Sequence, residues 1–156
     1  MRKFLGAMMG WGFMAAQALA SDVAAGAAAV RITPTQPIPM AGYYSTRWST
    51  NTHDELQAKA IVLDVDGTRA ALVVCDLISL PRTVVVQARE IIERTTRVPG
   101  SNVMISATHS HTGPVLDTGS ARQAIDGGGT DVVREYTAEL PARKRARRSD
   151  SSSTSS

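Results

Sequence analysis

The feature that most constrains the fold is a change of hydrophobic period at Pro81. Before it, residues 69–77 (RAALVVCDL) form an apolar, β-rich run. After it, Val84, Val85, Ala88, Ile91, Ile92 and Thr95 fall at i, i+1, i+4, i+7, i+8 and i+11, one stripe of an α-helix. Arg82, Arg89, Glu90, Glu93 and Arg94 are expected on the opposite face, with Glu90 and Arg94 forming an i, i+4 pair. Pro81 suits the first helical turn and Pro99-Gly100 ends the element, giving a helix over 81–97. A further apolar run at 102–107 then completes a strand–helix–strand crossover, which calls for parallel strands. Upstream, residues 55–66 (ELQAKAIVLDVD) read as a strand joined to 69–77 through Asp66-Gly67, a hairpin turn signal. The expected fold class is therefore α/β: a layered mixed sheet containing a β-hairpin and a βαβ crossover.

Other segments are bounded by composition. Arg2 and Lys3 precede the apolar run FLGAMMGWGFMAAQALA, and Ala18-Leu19-Ala20 supplies small residues for cleavage, so residues 1–20 read as a signal peptide cut after Ala20. A secreted or periplasmic location follows, with no transmembrane span after cleavage. Residues 21–28 hold mostly Ala and Gly and are expected to be a leader. The folded body is expected over 29–140, roughly the size of one ordinary domain. VRIT at its start reads as a short strand, and Pro34, Pro37 and Pro39 exclude a helix from the loop that follows. Residues 115–130 are polar and glycine-rich and read as a mobile loop, with a helix resuming over 131–140. Residues 141–156 combine a basic run with a serine tract and read as a disordered tail.

The charge follows this division. The formal net charge is +3, yet residues 143–156 carry five positive side chains and one negative, leaving −1 for everything before them. Nucleic-acid binding by the body therefore has no support, and the nuclear-import reading of KRARR conflicts with export. Cys75 is the single cysteine, so no intramolecular disulfide forms, and its apolar surroundings predict a buried thiol.

The chemistry concentrates in ISATHSHTGP, residues 105–114. An apolar strand stops at His109 and His111, followed by a Gly113-Pro114 turn. Strand C-terminal ends are where ligands bind in open α/β sheets, and imidazoles spaced by two share a face while a strand persists. Neutral imidazole suits zinc, but a catalytic zinc needs three protein ligands, so the two histidines make half a site. The spacing alone favours two polar strand-end residues satisfied by local hydrogen bonds. Asp76 reads first as a strand-end carboxylate capping the following turn. Asp117 and Ser110 lie close by, but no base is paired with the serine in sequence, and neither is assigned catalysis.

Several segments together, AAAVRITPTQPIPMAGY, HDELQAKAIVLD, the strand ending in Cys75-Asp76-Leu77, the following helix and SATHSHTGP, resemble the N-terminal part of the neutral/alkaline non-lysosomal ceramidases over roughly residues 27–140. The resemblance implies a zinc-dependent amidase that cleaves the N-acyl bond of ceramide to sphingosine and a fatty acid. It implies that His109 is a zinc ligand and that His111 shapes the site or stabilises the transition state. His53 matches a position before the second strand and takes no assigned role. The family's remaining zinc ligands (a His, a Glu and a Tyr) and its nucleophilic serine would lie downstream of Leu140. The chain is thus expected to be an incomplete N-terminal fragment of a larger catalytic domain, with an incomplete Zn2+ site and no activity alone on a ceramide-like lipid amide. Two other readings are another histidine-pair metallohydrolase, against which Thr112, Gly113 and Pro114 occupy the positions its further ligands would take, and a non-catalytic exported domain.

Overall fold

The computed structural model describes residues 22–143. The signal peptide and most of the expected tail, 144–156, lie outside the described residues. The chain forms a four-stranded mixed sheet in the order β1-β2-β3-β4, with β1 spanning Val23–Arg31, β2 Gln57–Val65, β3 Thr68–Cys75 and β4 Val103–Ala107. The first three strands are antiparallel neighbours, and β3 and β4 are parallel. The helices are α1 Arg82–Thr95, α2 Ala121–Ile125 and α3 Asp131–Glu139. Among the described residues no helix is long and apolar enough to cross a membrane.

The hairpin forms because Asp66 and Gly67 both take the left-handed conformation, φ 50° and 83°. Two such residues make the tight turn that matches strand twist. Asp64 reinforces it, accepting from the Gly67 amide at 2.9 Å and from Arg69 Nε at 2.6 Å.

Strand alternation sorts the sheet into two faces. Val62, Ala71 and Val103 stand in one row across β2, β3 and β4, and Val73 and Ile105 are aligned in the next. These residues pack with Val98 and with Ile92 of α1. The opposite row, Ile61, Leu72 and Met104, stays open, with Ile61 50% and Met104 53% exposed. A larger core gathers Ile32, Ile38, Leu77, Val84, Leu116, Val133 and Tyr136 around the Pro-rich loop, α1 and α3. Within it the Tyr136 hydroxyl donates to the Ile32 carbonyl at 2.6 Å.

Four expectations need correction. Residues 21–28 are not a leader ahead of the fold, because Val23–Arg31 pairs along its full length with β2 and makes the sheet's edge strand. Small side chains do not prevent this, since the ladder uses main-chain groups. The 115–130 segment is not a free loop: Val115 and Leu116 are buried, α2 interrupts it, and the Thr46 hydroxyl donates to Ile125. The packed body runs past Leu140 through a 3₁₀ turn at Leu140–Ala142 to Arg143, which donates to the Thr33 carbonyl and lies over the Tyr136 ring. Arg89, expected on the outer face of α1, is half-buried and donates to the Val103 carbonyl at 2.9 Å, tying helix to strand.

Candidate functional site

The histidine pair sits where β4 ends. The strand stops at Ala107, two residues before the first histidine, yet its pairing continues as Thr108 N donates to Cys75 O (2.9 Å) and Ser110 N to Leu77 O (3.0 Å). His109 takes φ 62°, a left-handed conformation uncommon for a residue with a side chain. The expected strand over 102–107 thus ends where the sequence placed it, and the two histidines lie just beyond it. The imidazoles nonetheless meet, with ring centroids 5.2 Å apart and planes at 71°.

His109 is oriented by the main chain. Its Nδ1 lies 2.9 Å from the Ile78 carbonyl oxygen. A carbonyl only accepts, so Nδ1 carries a proton, and in the neutral ring Nε2 presents the lone pair. Metal-binding histidines are held in this way, one ring nitrogen donating to a carbonyl while the other ligates. His111 packs against Gly42, whose loop is stitched to the motif: Ala41 N donates to Gly113 O, Val115 N donates to Pro39 O, and Met40 bridges Pro114.

The donor set fits half of a zinc centre. His109 and His111 offer imidazoles at a strand end, both exposed to incoming ligands. Among the described residues no group of three or more His, Cys, Asp or Glu side chains is arranged to hold a metal ion, and a catalytic zinc takes three protein ligands.

The other side of the same segment looks elsewhere. Thr108, Ser110 and Thr112 line a cleft of about 650 Å³, together with Asp76 and the two loops around Thr33–Ile38 and Ser49–Leu56. His109 and His111 are not part of that lining, so this cleft and the histidine pair are neighbouring surfaces. The lining includes Asp54, Glu55 and Asp76 and neither lysine nor arginine, which disfavours anionic ligands. Asp76 does not cap the following turn; its carboxylate accepts from the Gln57 amide across the sheet at 3.0 Å. His53 stands at the rim, paired with Asp54 at 2.9 Å and almost fully exposed, and the structure does not bring it to the other two histidines. The Thr33 hydroxyl, helped by the Arg31 guanidinium, holds the Glu55 carboxyl below its ordinary range. Asp117 is used locally, with its carboxylate accepting from Gly119 N. The Ser110 hydroxyl pairs with Thr112. Neither contacts a base.

Sequence reasoning did not find Ile78 or Gly42. Ile78 acts through its carbonyl, which carries no side-chain signature. Gly42 could have been suspected only as a glycine in the segment PMAGY.

No protein-family model matches the chain, and no curated protein matches it. Solved structures do. A ceramidase complexed with C2 superposes with a TM-score of 0.65 at 23% identity, covering 82% of this chain and 21% of that one. A neutral ceramidase from Pseudomonas aeruginosa gives a TM-score of 0.55 at 25% identity, covering 80% of this chain and 22% of that one. The expected likeness to neutral ceramidases is thus borne out in the fold, and the chain spans about a fifth of the length of those structures.

Proposed function

We propose that this chain contributes the His109/His111 half of a zinc-dependent amidase centre related to neutral ceramidase, acting on a ceramide-like lipid amide in an exported location. The observation that carries the reading is the hydrogen bond from His109 Nδ1 to Ile78 O, which leaves Nε2 available for ligation beside a second imidazole. Bound zinc would supply polarisation of a scissile carbonyl or a water of lowered pKa. His109 holds the ligating orientation. His111, beside that ligand, would donate a ring N–H to the oxyanion that develops on the amide carbonyl. His109 is one ligand where a catalytic zinc takes three from the protein, so the 156-residue chain binds zinc weakly and does not turn over amide alone.

Zinc titration followed by an N-acylsphingosine hydrolysis assay tests this. The expected result is measurable zinc binding that falls on the order of tenfold or more in His109→Ala, without turnover. Zinc-dependent hydrolysis by the pure chain would overturn the inactivity. The exposure of both imidazoles favours one competing reading, a non-catalytic exported domain. In that case zinc titrated into the unmodified chain binds no better than it does to His109→Ala.

A further inference from the structure

Each of the two histidines is positioned by main chain from another element. Ile78 O fixes His109, and His111 meets the close approach of Gly42. A Cβ built on Gly42 would stand 2.1 Å from His111 Nδ1, 2.6 Å from its Cγ and 2.8 Å from its Cε1. All three are ring atoms of one imidazole, and all lie inside any tolerable contact. The His111 ring therefore occupies the volume a side chain at 42 would fill. Gly42 also takes φ 87°, a conformation that favours glycine for its own reasons. Backbone strain and ring placement are thus two separate demands on one residue, and they can be separated experimentally.

We propose that Gly42 is a positioning residue for the histidine pair: by lacking a side chain it seats the His111 ring, and so sets the 5.2 Å separation from His109. The proposal rests on the reading that the pair is the functional site, but its geometry can be tested without activity. The loop cannot simply retreat to relieve a larger residue. Ala41 N to Gly113 O at 3.0 Å and Val115 N to Pro39 O at 2.9 Å clamp the chain just before Gly42 to the motif, and Met40 N to Arg47 O at 2.7 Å closes the loop around it. A side chain at 42 must instead push the His111 ring away, breaking its edge-on contact with His109.

Gly67 supplies the control. It has nearly the same φ, 83°, but nothing lies within 4 Å of its built Cβ. Gly42→Ala and Gly67→Ala therefore share the backbone penalty and differ in the imidazole. In the full chain with labelled histidines, the expected result is that Gly42→Ala loses the ring-to-ring NOE between His109 and His111 and moves the His111 ring resonances, whereas Gly67→Ala leaves both unchanged. Identical His111 spectra in the two variants would overturn the proposal. If Gly42→Ala folds poorly, the comparison is made on urea midpoints in a His111→Ala background. There, Gly42→Ala should lower the midpoint no more than Gly67→Ala does, having lowered it more in the unmodified chain; an undiminished excess would equally overturn the assignment. Zinc added to the unmodified chain separates the two failures: histidine resonances unmoved by zinc reject the metal reading, while the NOE comparison still decides the role of Gly42.

Discussion

At the last position of β3, the Cys75 side chain is packed into the core, and burial, aided by the neighbouring Asp76 carboxylate, pushes its thiol up from 9.0 to about 11. The folded chain therefore prefers the protonated thiol. The associated stability, on the order of 2–3 kcal/mol, is whole below pH 9.0 and is lost as pH rises from there through about 11. Urea midpoints measured across that interval should fall in the unmodified protein and fall less in Cys75→Val; parallel curves would reject the buried thiol as the cause. Iodoacetamide at pH 8 should label Cys75 only after unfolding. The burial of this residue was legible from ALVVC, since a cysteine inside an apolar run has one place to go. His109 and His111 were legible as a motif for a related reason: polar rings ending an apolar strand stand out. Their partners were not, because a carbonyl at Ile78 and an absent side chain at Gly42 leave no chemical mark in the sequence.

Elements with a strong period were read nearly to their ends, and those without one were missed. β2, β3, α1 and β4 each carry an apolar alternation or stripe that only one local structure can bury. β1 carries Ala and Gly in a run that local propensity would not make a strand, and it becomes one through pairing with β2. The five-residue α2 is too short to show a period. The hairpin turn makes its own prediction. Gly67→Ala should cost about 1 kcal/mol, because a side chain in the left-handed region is disfavoured by roughly that amount; an unchanged urea midpoint would contradict the turn geometry. Arg69, first, and the Gly67 amide hold the Asp64 carboxyl below its ordinary range. Its contribution is therefore present above that range and is lost as pH falls below it. Asp64→Asn should flatten the acid limb of the stability curve, and an unaltered limb would mean the pair is silent.

Across the whole molecule, two contacts of great sequence separation close the body: the Tyr136 hydroxyl on the Ile32 carbonyl and Arg143 on the Thr33 carbonyl. Tyr136→Phe leaves a buried carbonyl without its donor and should cost about 1–3 kcal/mol in a chemical melt; a neutral result would show that water replaces the hydroxyl. The open face bearing Ile61, Leu72 and Met104 has the opposite effect, since a contiguous apolar surface promotes association. Ile61→Lys should raise the concentration at which the chain stays monodisperse in sedimentation, and no gain would mean that this face is already covered in solution. The short segment from Thr108 to Thr112 has a longer reach than its size suggests. Because its hydroxyls line one surface and its imidazoles meet on another, the two can drift apart under selection. Exchanges at 108, 110 and 112 would reshape the cleft while the pair of rings keeps its place.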